Sequence, residues 1–108
     1  MQRAIDKMVR EISSILSDVK PSIYLYGSSV LDDFKLGWSD IDILALTDSQ
    51  MSEGQAQSLV GLRQAMLADE PGNLYYRSFE GGMLTLDAFL SGASDRVVYW
   101  GTSGERVT

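Results

Sequence analysis

The chain has 108 residues, 44% of them apolar, with 15 acidic against 9 basic side chains and a formal net charge of −6; this is the size of one domain with a real core. It contains no cysteine and no histidine, which excludes disulfides, thiolate metal sites, imidazole bases and Ser-His-Asp chemistry, and suits a reducing, cytoplasmic setting. Its Lys and Arg residues are scattered, no apolar run is long enough to span a bilayer, and the N-terminus lacks a signal-peptide pattern, so neither a nucleic acid nor a membrane is expected as a partner.

Residues 2 to 19 read as an amphipathic helix. Ile5, Met8, Val9, Ile12, Ile15, Leu16 and Val19 recur at three- and four-residue steps. Pro21 stops it, because the residue before a proline avoids helical geometry. Ser22 to Tyr26, β-branched and aromatic, is predicted to be a strand. The chain then turns at Gly27-Ser28-Ser29, and Val30, Leu31 and Phe34 suggest one or two helical turns after it. Lys35 to Ser39 is a loop marked by Gly37.

Asp40 to Thr47 alternates at first and then becomes wholly apolar, as a central strand buried on both faces would. Ser52 followed by Gln55 predicts a capping box and a helix to about Leu67 or Ala68, with Leu59, Leu62 and Met66 on its core face. Glu70-Pro71-Gly72-Asn73 is a turn. Leu74 to Phe79 is predicted as the third strand, closed by Glu80-Gly81-Gly82. Met83 to Leu90 fits a strand or a short helix, and Leu86, Phe89 and Leu90 favour a short helix ending at Ser91-Gly92. Arg96 to Trp100 reads as a last strand, and Gly101 to Thr108 as a polar tail.

The chemistry gathers between Ile23 and Thr47. Asp40 and Asp42 lie two residues apart at the mouth of a strand, so their side chains project to the same face. Aspartate is a poor strand former, and two of them leading a buried strand mark a functional site. Two such carboxylates repel unless a cation lies between them. All-oxygen ligation suits a hard ion such as Mg²⁺, which completes its shell with water and substrate phosphates. The small residues of Gly27-Ser28-Ser29 let a phosphate come close to the backbone. A phosphate cradle beside metal-binding carboxylates is the equipment of phosphoryl or nucleotidyl transfer.

Gly27-Ser28, a loop, and then Ser39-Asp40-Ile41-Asp42-Ile43-Leu44 resemble the signature of polymerase-β-like nucleotidyltransferases. Within that superfamily the sequence looks closest to the bacterial aminoglycoside adenylyltransferase type, over about residues 2 to 100. The resemblance implies an α/β (α+β) fold, a small mixed β-sheet flanked by helices, of the polymerase-β palm-like kind. It implies one or two Mg²⁺ ions, ATP as substrate, and transfer of AMP to a hydroxyl of a small aminoglycoside-like acceptor. It makes Gly27, Ser28 and Ser39 the nucleotide-binding residues and Asp40 and Asp42 metal ligands. A third carboxylate, ligand or general base, falls on an Arg-x-x-Glu-Gly-like stretch; Arg77-Ser78-Phe79-Glu80-Gly81 fits it, so Glu80 is chosen over Asp87. The resemblance also leads to residues 1–108 as a catalytic domain without the helical acceptor-binding domain of those enzymes, its place open to a missing domain, a protein partner or a homodimer. The alternative is an antitoxin-like minimal nucleotidyltransferase that modifies or binds a protein. Those relatives carry an Arg after the Gly-Ser turn, where this chain has Val30-Leu31-Asp32-Asp33. Tyr99 and Trp100 are the residues where an apolar interface would show, with ordinary core as the plainer reading of both.

Overall fold

The computed structural model describes residues 2–26, 41–92, 96–101 and 104–108. Helix α1 (Gln2–Ile15) is continued by a short 3₁₀ turn, Ser17–Val19, rather than running unbroken to residue 19. Strand β1 (Ser22–Tyr26) follows. Strand β2 (Ile41–Thr47) leads to helix α2 (Glu53–Asp69), a second 3₁₀ segment (Leu74–Ser78) and strand β3 (Phe79–Thr85). Helix α3 (Leu86–Ser91), strand β4 (Val98–Gly101) and strand β5 (Gly104–Val107) complete the chain. The predicted helical turns at Val30, Leu31 and Phe34 and the loop Lys35 to Ser39 lie outside the described residues.

The five strands form one sheet in the order β1-β2-β3-β4-β5. Only β2 and β3 run parallel, joined by the crossover through α2; the other neighbours are antiparallel. The odd-numbered residues of β2 (Ile41, Ile43 and Ala45) and Phe79 and Met83 of β3 are buried in a core shared with α1 and α2. From the helices this core receives Ile5, Met8, Ile12, Ala56, Leu59, Leu62 and Met66, the stripes expected from their spacing.

Local chemistry explains the helix ends. Ser52 Oγ accepts from Gln55 N at 3.1 Å, and Gln55 Oε1 accepts from Ser52 N at 2.7 Å, the reciprocal box that satisfies two otherwise orphaned donors. Gln55 Nε2 also donates to Ile15 O at 3.1 Å and to Asp18, which ties the start of α2 to the end of α1. Thr85 Oγ1 caps α3 by accepting from Ala88 N, and Gly92 ends it in the left-handed region.

Two predicted elements are corrected. Leu74 to Phe79 is not a strand: Asn73 Oδ1 accepts from Tyr75 N and starts a 3₁₀ segment. Tyr76 is buried there and donates its hydroxyl to Glu70 Oε2 at 2.7 Å. The strand begins at Phe79 and contains Glu80-Gly81-Gly82 instead of ending at them. Gly101 to Thr108 is not a tail, because Gly101 pairs with Gly104 and residues 104–107 return along β4 as β5.

Candidate active site

The site follows from the alternation of β2 and β3. With Ile41, Ile43, Phe79 and Met83 committed to the helix-covered face, Asp42, Leu44, Glu80, Gly82 and Leu84 face the other way. The parallel register sets Asp42 opposite Glu80. Neighbouring strands are about 4.8 Å apart, so the two half-buried carboxylate residues are side by side on one face. Each is the second residue of its strand, so the pair lies where β2 and β3 enter the sheet, and Tyr26 is the register partner of Asp42 on β1.

Gly27, Ser28, Ser39 and Asp40 lie outside the described residues. In the chain, Gly27 follows the last residue of β1 and Asp40 precedes the first of β2. Asp87, the competing third carboxylate, is exposed in the first turn of α3, beyond the opposite end of β3 from Glu80. Five residues of strand, about 17 Å, separate Glu80 from Thr85. The fold therefore brings Glu80, and not Asp87, beside Asp42.

The donor set here is all oxygen and carries like charges in direct register, an arrangement that favours a hard divalent cation. Among the described residues no group of three or more Asp, Glu, His or Cys side chains is placed to hold a metal ion.

Gly81 makes the register possible. Its φ is +145°, and a Cβ built on it would lie 1.7 Å from Ile43 O. Only glycine lets β3 come this close to β2 at the residue after Glu80.

Arg63 was not singled out by the sequence reading. It is 5% exposed and belongs to the buried stripe of α2. Its Nε bonds Glu105 Oε1 at 2.8 Å, while its two terminal nitrogens donate to Phe79 O at 2.6 Å and Gly101 O at 2.9 Å. The guanidinium also lies 5.9 Å from the Trp100 ring centroid. It thus holds the carbonyl immediately before Glu80. The signal was present in the spacing: Arg63 is four residues after Leu59 and three before Met66, a charge placed on an apolar stripe.

Behind the sheet, a cleft of about 610 Å³ is bordered by Arg63, Gln64, Leu67, Arg77 and Gly101, among others; neither Asp42 nor Glu80 lines it. Arg77, part of the stretch used to choose Glu80, is exposed. Nearby, the Lys7 ammonium 2.9 Å from Glu70, with the Tyr76 hydroxyl, holds the Glu70 carboxyl below its usual range. Glu70 in turn holds the Lys7 ammonium above its usual range. Burial first, then the bond to Glu70, pushes the Tyr76 phenol up.

A mixed sheet with α1 and α2 packed on one face and carboxylates aligned on the other, where β2 and β3 begin, is the frame of a nucleotide-transfer domain. Residues 5–85 match the family model described as nucleotidyltransferase domain, and the chain belongs to that family. No significant match was found among curated proteins or among solved structures. No helix among the described residues is long and apolar enough to cross a membrane.

Proposed function

We propose that the chain transfers AMP from ATP to a hydroxyl of a small-molecule acceptor, with Asp40, Asp42 and Glu80 as its working carboxylates. The observation that carries this reading is the parallel register of Asp42 with Glu80. The oxygen donors of Asp42 and Glu80, with Asp40 two residues before Asp42 in sequence, fit Mg²⁺. When bound, Mg²⁺ supplies neutralisation of charge on the triphosphate and on the departing pyrophosphate.

Gly27 and Ser28 bind the phosphates, and Ser39 is the third nucleotide-binding residue. The acceptor oxygen attacks the α-phosphorus; the bond from that phosphorus to the bridging oxygen of pyrophosphate breaks; Glu80 takes the hydroxyl proton. Arg63 acts at one remove, as a positioning residue, through the carbonyl of Phe79.

Glu80→Gln tests the assignment. It should abolish transfer of label from ATP labelled at the α-phosphate while leaving Mg-ATP binding, read by calorimetry, largely intact. Normal turnover by the Gln variant would rule Glu80 out.

A second reading, modification or binding of a protein partner, is favoured by α3. Leu86, Phe89 and Leu90 are all exposed on that one short helix, and clustered apolar side chains mark interfaces. Of the two residues singled out for such a surface, Trp100 is core, with its indole N–H on Leu59 O at 2.9 Å. Tyr99 is exposed on the face that carries Asp42 and Glu80. Labelled protein rather than labelled small molecule, in the same incubation with a candidate partner, would establish this second reading.

A further inference from the structure

The cleft behind the sheet has no part in the transfer site, since neither Asp42 nor Glu80 lines it. At about 610 Å³ it has the size of a small-molecule site. Helix α2 supplies Arg63, Gln64, Leu67 and Ala68 to its lining, and the 3₁₀ segment before β3 supplies Arg77. One part of the wall is therefore cationic and another apolar.

Both arginines keep binding capacity. A guanidinium carries five N–H groups. Arg63 commits one to Glu105, one to Phe79 O and one to Gly101 O, so each terminal nitrogen retains a second N–H. Arg63 is 5% exposed and borders the cleft, which makes a ligand there the partner within reach of those groups. Arg77 is exposed, and among the described residues it is in no ion pair. Glu105, held on Arg63 Nε at 2.8 Å, offsets one of the two positive charges; the other is not offset. The two acids that follow Ala68, Asp69 and Glu70, are paired with Lys7 instead.

We propose that this cleft binds a phosphate monoester, with the phosphate on Arg77 and the spare N–H groups of Arg63, and the organic group on Leu67 and Ala68. Two guanidinium groups at one cleft select an oxyanion. A carboxylate has two oxygens and is satisfied by one bidentate arginine, whereas a phosphate monoester has three terminal oxygens to share between two. The apolar side chains of Leu67 and Ala68 add a surface for an uncharged organic group. Arg63 is fixed beforehand by its three bonds and by the Trp100 ring, 5.9 Å away, so little side-chain entropy is lost on binding. The formal net charge of −6 opposes any anion at long range. It is screened beyond about 8 Å at physiological salt, so the local arginines decide.

The test titrates the ¹⁵N-labelled 108-residue chain with phenyl phosphate, inorganic phosphate and benzoate at physiological salt, followed by amide chemical shifts. Mg²⁺ and ATP are left out, so the outcome is independent of the transfer reading. Phenyl phosphate should give saturable shifts at Gln64, Leu67, Ala68 and Arg77. Arg77→Gln should weaken its binding about tenfold or more, and so should Ala68→Glu, which puts a carboxylate on the wall. Both positions are exposed, so both variants should keep the dispersed spectrum of the folded chain. Asp42→Asn should leave the affinity within about twofold. Inorganic phosphate and benzoate should each bind at least about fivefold more weakly, the first for want of apolar contact and the second for want of a third oxygen. No saturation, saturable shifts confined to Tyr26 and Asp42, unchanged affinity in Arg77→Gln, or either comparison anion binding as tightly as phenyl phosphate would each overturn the assignment.

Discussion

Gly81→Ala is the sharpest test of how the two carboxylates are brought together. At φ +145° an alanine is strained by about 1–3 kcal/mol on backbone grounds alone. Its Cβ would also fall 1.7 Å from Ile43 O and 2.8 Å from Ile43 C. Both are backbone atoms of the neighbouring strand, so no side chain can rotate away to relieve the overlap. The strands must part locally, and each ladder hydrogen bond lost costs about 1 kcal/mol more. The sum is about 3 kcal/mol or more, a large share of the 5–15 kcal/mol typical of a small domain. Thermal unfolding followed by circular dichroism should show a midpoint lower by more than about 10 °C. Gly82→Ala is the control. Its Cβ would meet only ordinary contacts, 3.7 Å to Val98 O and 4.0 Å to the Tyr99 ring, and its midpoint should stay within a few degrees, about 4 °C, of wild type. Equal stability of the two variants would refute the claim that close approach of β3 to β2 depends on the residue after Glu80.

Arg63→Met should destabilise the fold by about 3–5 kcal/mol in urea denaturation, because it leaves the Glu105 carboxylate with only the Gln64 amide at 3.3 Å and takes the donor from two carbonyls. Adding Glu105→Leu should recover part of that loss. Mg²⁺ at a hundred times its dissociation constant should raise the stability of wild type by about 2.7 kcal/mol; in Asp42→Asn the gain at the same concentration should be much smaller, as read by the shift in unfolding midpoint. The Glu70 carboxyl titrates below its ordinary value in the folded chain, chiefly because of Lys7. Its contribution is therefore complete above the unfolded value of about 4.3 and fades as pH falls through the lower folded value. Wild type should be more stable than Glu70→Gln at pH 7, and the gap should close below about pH 4.

The elements legible in the sequence are those whose signal is local. The apolar steps of α1, the β-branched run of β1 and the Ser52–Gln55 box of α2 each specify structure within a few residues, and each was found. β3 was displaced because side-chain bonds outweigh composition there. Tyr75 and Tyr76 have strand-like composition, but Asn73 caps a 3₁₀ turn there and Glu70 takes the Tyr76 hydroxyl. Gly81 and Gly82, read as the end of a strand, lie inside one. β5 was hidden for a related reason. Glu105 faces Arg63 on the helix side and Arg106 faces Tyr99 on the other, so both of its alternating faces are charged and no apolar period appears.

The Asp42 and Glu80 residue types were visible as candidates, and their adjacency was implied by the family resemblance but not by spacing. It depends on a parallel pairing across the α2 crossover, which no spacing within either strand encodes. The features that make this pairing work are unfavourable when judged locally: an aspartate near the start of a buried strand, two successive glycines inside its neighbour, and an arginine on an apolar helical stripe. Each makes sense only beside the others. Gly81 lets the backbones meet, Gly82 packs against Val98 and the Tyr99 ring, and Arg63 secures the carbonyl through which β3 enters the sheet. Departures from local preference that converge where two strands enter the sheet are what a site under functional constraint leaves in a sequence. The same convergence explains why the site is legible as chemistry in one dimension and as geometry only in three.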